Sequence, residues 1–397
     1  MKRRHPMRSY LAGAVAARAG DEMSGPALML AGFAVAGSAV EASSLLAGIT
    51  VAAVVGGPML GTLLDRVARP GRLLARALAL YATGLVVILV ALGRLPIALV
   101  VLIAVLTGLL GPALSGGWTA QLPRVVPHTK LPRANALDAM TFSAAGLVAP
   151  ALAGGVAEVC GAPGAVVVSV VLISLAVPVA WRLPVSPGPV PGSVITSAAG
   201  DLAAGMRLIV RTPRLARATL SSTVSCIAQG MLTACIPLLG VRLLGGAGHG
   251  AMLLSCAAVS ALAANAALAR HPCPITPDTM IWAGALVQAV ALVLAATGRP
   301  VALVAAVLIA GIGEGPQLTA VFAVRHREAP EELRSRVFTT GASLKITAFA
   351  LGAAVAGPLA TRSLPGALVA AAGVQVLAAL VFRTVPPVAR PSRAGEG

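Results

Sequence analysis

Charge is scarce in this 397-residue chain: Asp, Glu, Lys and Arg together make 11% of it, against 57% hydrophobic residues. A soluble domain carries roughly a quarter of its residues charged, so a water-facing surface cannot be built from this material. Aromatics are also rare, at 3%, and a stacking cage for flat cations is not evident. Acidic residues number 13 against 30 basic ones, a net charge of +17. Such an excess can signal nucleic-acid binding. Here the basic residues flank long apolar stretches, where they anchor to phospholipid and hold orientation, so no nucleic-acid partner is expected. All but Lys2, Lys130 and Lys345 are arginine, and alanine is abundant, a mark of GC-rich bacterial coding without chemical meaning.

Cysteine is sparse too. Cys160, Cys226, Cys235, Cys256 and Cys273 show no CxxC spacing, which argues against a disulfide framework, a metal site or a cofactor site. There is no Walker motif, so ATP coupling within the chain is excluded. No loop carries paired Asp or His, so no catalytic residue is assigned and the chain is not read as an enzyme. A membrane-embedded enzyme or a sensor remains a remote alternative; a sensor would be expected to carry a soluble domain, and the tail after Arg383 is too short for one. His5, His128, His249, His271 and His326 are placed in tails or loops, which argues against an imidazole relay. The basic start Met1-Lys2-Arg3-Arg4 resembles a signal peptide, but Arg18, Asp21 and Glu22 break the apolar stretch that follows, so it is read as retained.

What the chain does have is apolar length. Segments near 11–36, 42–64, 73–92, 96–118, 136–158, 164–182, 217–240, 250–269, 279–297, 300–323, 337–360 and 365–383 each approach the ~20 residues that a helix needs to cross a bilayer. They are too long and too evenly apolar for barrel strands, so an all-α polytopic protein of twelve spans is expected. With these spans drawn, the basic residues sort to one face; only Arg94, Arg242, Arg299 and Arg362 fall on the other. The positive-inside rule then puts both termini in the cytoplasm. The longest connection, 183–215, opens with Pro184, Pro187, Pro189 and Pro191 and continues with helical potential from Ser193 to Val210. It reads as a cytoplasmic linker with a surface helix between domains 1–182 and 216–397.

The two halves echo each other. Gly111-Pro112-Ala113-Leu114 in the fourth span matches Gly315-Pro316-Gln317-Leu318 in the tenth, 204 residues on. Pro127 matches Pro330 and Arg133 matches Arg336, both at 203, and Ala149-Pro150 in the fifth span resembles Gly357-Pro358 in the eleventh, at 208. Two parallel six-span repeats place a substrate site between them near the midplane, the plan of a transporter.

With Gly61-Thr62-Leu63-Leu64-Asp65-Arg66-Val67-Ala68-Arg69-Pro70-Gly71-Arg72 after the second span, the chain resembles the major facilitator superfamily (MFS), whose motif there is G-x-L-x-D-R-x-G-R-R. It departs at Ala68, where Gly is usual, and at Pro70, where a base is usual. Leu131–Asp138 and Glu332–Phe338 are similar to actinobacterial drug and metabolite exporters of that superfamily. The resemblance implies the MFS fold and a cytoplasmic gate built on Gly61, Asp65, Arg66, Arg69 and Arg72. On physical grounds Gly61 lets a helix approach closely, Asp65 can pair with Arg69 or meet another helix's N-terminus, and the arginines can face the anionic leaflet or interlock the halves. Proton-driven exporters of the superfamily carry G-x-x-x-G-P-x-x-G-G in the fifth span. The corresponding stretch here keeps Gly146, Pro150, Gly154 and Gly155 in a degraded match, expected to bend the helix and pack it tightly.

Ionisable groups inside spans are costly and therefore point to function. Asp21 and Glu22, with Arg18 one turn before them as charge partner, and Glu314 between Gly313 and Gly315 are the candidates for proton coupling. The glycines beside Glu314 are expected to thin the helix and admit substrate or water. Glu41, Asp138 and Glu158 are placed at the interface. Gln229, Gln288 and Gln317 are candidate cavity residues, with bonding between neighbouring helices the commoner role for such groups. The expected whole is a monomeric, proton-coupled exporter of an amphipathic small molecule in the bacterial inner membrane. A proton-coupled uptake permease of the same fold is the alternative.

Overall fold

The protein was obtained as a computed structural model, which describes residues 6–36, 39–185, 198–245, 247–271 and 275–384. His5, Cys273 and the prolines Pro187, Pro189 and Pro191 lie outside the described residues. The first part of the chain folds into helices α1 (Pro6–Ala36), α2 (Ala39–Val51), α3 (Ala53–Arg66), α4 (Pro70–Ala91), α5 (Ile97–Gly108), a short α6 (Leu122–Val125) and α7 (Leu131–Trp181). Then come α8 (Ala198–Arg211), α9 (Pro213–Leu244), α10 (Ala247–Arg270), α11 (Pro277–Ala296), α12 (Pro300–Glu328), α13 (Arg334–Arg362) and α14 (Leu364–Thr384). No strand occurs among the described residues.

Proline and glycine set many of these boundaries. Pro70, Pro213, Pro277 and Pro300 are the first residues of α4, α9, α11 and α12, where the missing N–H costs no intrahelical bond. Gly161, at φ +76°, interrupts the 51-residue α7 and divides it into two spans. Gly245, at φ +79°, ends α9 in a left-handed turn.

Ten helical stretches among the described residues are long and apolar enough to cross a membrane. The break at Gly161 makes two spans of one of them, and α1, 31 residues long, adds a charged span. The total is consistent with the twelve expected. The second span is made of α2 and α3 together, with Ala52 between them in helical φ/ψ. The fourth span is broken where a single helix is expected. The fourth leaves α-helical geometry after α5, passes Pro112 and continues as a wide π-helical turn over Ala113–Gly117. Pro150, by contrast, interrupts nothing, because Gly161 is the non-helical residue within α7. The tight packing expected around it is also absent: a Cβ at Gly146, Gly154 or Gly155 would meet no atom within 4 Å.

One apolar core is drawn from Tyr10 to Ala180 and two others from Ile209 to Phe382. Outward-facing positions such as Val159 and Val301 are more than four-fifths exposed, as a lipid-facing surface requires. The two six-helix halves meet along α3 against α13 and α7 against α10. At the first seam, glycines bring backbones together: a Cβ at Gly57 or Gly61 would collide with α13 at Thr339 or Arg336, and one at Gly116 with Phe338. Ser343 Oγ donates to the Ala53 carbonyl across the same seam. A small cluster of Ala120, Ala139, Phe322 and Phe338 joins both halves. The amphipathic helix expected in the linker is α8, which seats Gly205 against Arg336 and buries Ile209.

Gly61→Val is expected to pry α3 from α13. In a cysteine-free background, maleimide labelling of Thr339→Cys should then accelerate several-fold; an unchanged rate would show that the seam does not depend on close approach at Gly61.

Candidate functional site

The strongest polar contacts between the halves lie at the arginine-rich face. Asp65, at the end of α3, accepts hydrogen bonds from the backbone N–H groups of Ser335 (2.9 Å) and Arg336 (3.0 Å), the first turn of α13. Arg336 Nε stands 3.7 Å from the same carboxylate. Of the two partners open to Asp65, the helix N-terminus is therefore the one it meets, with positive dipole and free N–H groups together. Arg69 is exposed, and the guanidinium of Arg72 lies 5.3 Å from the Trp181 ring within its own half, so Arg72 does not interlock the halves. Arg66 is exposed at the end of α3.

His326 corrects an expectation. It was assigned to a loop, but α12 runs on to Glu328 and buries it. Its Nε2 meets the Thr119 carbonyl at 3.2 Å and its Nδ1 the Asn135 side chain at 2.9 Å, both in the opposite half. Arg124 and Glu331 add an ion pair at 3.5 Å.

Arg18 does not serve Asp21 and Glu22. It crosses to α7, where Nη1 donates to Asp138 Oδ1 (3.0 Å) and Nη2 to Oδ2 (3.2 Å). Thr119 takes a further bond from Nη2 at 2.8 Å, Thr141 accepts from Nη1, and Phe142 lies under the guanidinium at 3.7 Å. Tyr10 and Thr119 also donate to the Asp138 carboxylate, at 3.0 and 2.9 Å. Asp138, expected at the interface, is fully buried. Of the other two acids placed there, Glu41 is half-buried in the first turn of α2, and Glu158 is exposed.

With Arg18 engaged elsewhere, Asp21 and Glu22 face a cavity lined by Thr119, Phe142, Phe322, Phe338, Arg325 and Lys345 among others. A second cavity shares the two acids and reaches Tyr81, whose hydroxyl donates to Asp21 at 2.9 Å. Glu314 lines an adjoining pocket with Gln229, Gln317 and Lys345. Lys345 lines both this pocket and the cavity of Asp21 and Glu22. Glu22 and Glu314 are both exposed although they lie mid-span, so solvent reaches them through the cavity.

The glycines beside Glu314 do not admit substrate. Gly313 packs on the Gly284 carbonyl of α11, and Gly315 on Ala261 and Asn265 of α10. They let neighbouring helices close in. Gln288 is buried and bonds Gln317 (2.8 Å), Gln229 (3.1 Å) and Gln375 (3.0 Å). Gln229 and Gln317 belong to this network and also line Glu314's pocket. No group of His, Cys, Asp and Glu able to hold a metal occurs among the described residues.

A sequence profile described as Major Facilitator Superfamily matches residues 10–272. The chain belongs to that superfamily. A member in Sinorhizobium fredii, described as an uncharacterized MFS-type transporter, y4rN, is 32% identical over 362 residues, covering 88% of each chain. The MFS fold recurs in solved structures of low identity. The human organic anion transporter MFSD10 superposes with a TM-score of 0.79 at 15% identity, covering 96% of this chain and all of its own. A bacterial homologue of the iron transporter ferroportin, in an outward-facing state, gives 0.77 at 16% identity, with 96% and 99% coverage. The E. coli fucose:proton symporter gives 0.70 at 14%, with 97% and 100% coverage. This MFS member is thus a multi-pass membrane transporter and not an enzyme.

Asp138→Asn leaves Arg18 charged, buried and without a carboxylate, at a cost of about 3–5 kcal/mol. Thermal unfolding in detergent should shift down by several degrees. Arg18→Gln combined with Asp138→Asn should lose less than the two single losses together; simple additivity would show that the pair is not coupled.

Proposed function

We propose that this transporter exchanges protons for an amphipathic small molecule, a drug or secondary metabolite, which it exports by alternating access. One observation carries the reading: Asp21 and Glu22 of one half face the same cavity system as Glu314 of the other. A carboxylate reached by water on one side of a closed seam can take a proton there and release it after the halves rock. The fucose:proton symporter is proton-coupled by its name and shares the fold. Export, as against proton-coupled uptake, leans on the fifth-span likeness around Gly146 and Pro150.

The bodies that rock are residues 1–182 and 216–397, tethered by 183–215. The arginine-rich face is cytoplasmic, with both termini there, in the inner membrane of a bacterium, and the working unit is the monomer. In that orientation the Asp65 and His326 contacts close the cytoplasmic side, and the solvent-reached acids belong to an outward-facing state. Gly61, Asp65 and Arg66 form the gate. Arg69 and Arg72 hold the loop against the anionic leaflet. Gln229 and Gln317 border the substrate path.

Substrate-driven proton movement in proteoliposomes, read with a pH-sensitive dye, tests the proposal against a panel of cationic, zwitterionic and neutral amphiphiles. Asp21→Asn or Glu314→Gln should reduce it about ten-fold or more. Substrate flux that persists in both variants without any proton movement would refute the coupling, and proton entry in the same direction as substrate would make the protein a symporter.

A further inference from the structure

The charged lining of the cavity is two acids, Asp21 and Glu22, and two bases, Arg325 and Lys345. Lys345 also borders the pocket of Glu314. Arg18 is paired with Asp138.

Arg325 is the unusual group. It is 2% exposed, as deeply buried as Arg18. Arg18 has a carboxylate and two threonines, with only its Nε left over; among the described residues Arg325 has no ion pair, and its Nε and Nη2 have no hydrogen-bond partner. Its guanidinium lies against Gly341, where a Cβ would collide with it, and 5.8 Å from the Phe338 ring. The fold therefore makes room for this guanidinium beside the cavity without supplying an anion. A buried, unpaired guanidinium is costly, and its planar fork is matched to a carboxylate.

Phe142, Phe322 and Phe338 line the same cavity as Arg325 and the two acids, with ring centroids 5.7 Å (Phe142–Phe322) and 5.9 Å (Phe322–Phe338) apart. We infer that Arg325 is the seat of a substrate carboxylate, and that the transported molecule is zwitterionic: its carboxylate on Arg325, its apolar body along the three phenylalanines, its basic nitrogen toward Asp21 and Glu22. This rests on the transport reading above and deepens it. A basic nitrogen at those acids competes with the protons they carry, which is what exchange requires.

The test is equilibrium binding to the purified full-length protein. The probes are 4-(aminomethyl)benzoate, tryptophan and phenylalanyl-phenylalanine, which set carboxylate and nitrogen at different separations. Each is compared with its methyl ester and its N-acetyl form. At least one zwitterion should bind about ten-fold or more tightly than both of its partners, the worth of one charge-assisted hydrogen bond. Arg325→Gln should bring that zwitterion down to its ester and leave the ester within about two-fold, while Arg325→Lys restores part of the preference. Unfolding temperatures of both variants confirm that they are folded.

If no zwitterion outbinds its own ester, or if Arg325→Gln weakens both equally, the inference is overturned. If the ester drives proton movement as well as the zwitterion, the transport reading survives and the carboxylate seat does not. If the zwitterion's preference stands without proton movement, the seat is upheld and only the coupling fails.

Discussion

Asp65 holds the N–H groups of Ser335 and Arg336, the second and third residues of α13, from across the boundary between the halves. Those N–H groups have no partner within their own helix, and the carboxylate sits at the end of α3 where no residue of its own half replaces them. Each side thus completes the other. Around this contact the α3–α13 seam closes on glycine, Ser343 reaches Ala53, and the linker helix α8 settles on Arg336.

The bilayer explains the remaining economy. Inside hydrocarbon a charge must find its counter-charge in the protein or face an aqueous cavity. Arg18 and Asp138 take the first course, with Tyr10, Thr119 and Thr141 adding further bonds. Glu22 and Glu314 take the second. In the other half the same problem is solved without charge, by the Ser225–Gln317–Gln288–Gln375 network. Amides can donate and accept at once, so four side chains close on one another and pin four helices together.

The spans, the charge bias and the echo of Gly111-Pro112 in Gly315-Pro316 were legible in the sequence, because hydropathy and register are one-dimensional properties. Gly61 and Asp65 were legible as a motif. The partner of Arg18 was not: adjacency along a helix pointed to Asp21 and Glu22, while Asp138 lies 120 residues away. Asp138 itself was misplaced because α7 begins at Leu131, several residues before its apolar run, and carries the carboxylate a further turn inward. The same extension at the end of α12 hid Arg325 and His326, whose charge and polarity read as loop. Glycines misled in both directions. Those flanking Glu314 are filled by neighbouring helices, and those of the fifth span face nothing. A glycine in sequence announces a short side chain; only the fold says whether another backbone has come to use it.

That bare stretch of α7 has a mechanical meaning. Gly146, Gly154 and Gly155 carry no neighbour within reach of a Cβ, while Gly57 and Gly61 at the closed seam are already in full contact. The molecule thus has one bearing surface in use and one unused. In the rocking proposed above, side chains on the unused surface would act as a stop, and none stands at these three positions.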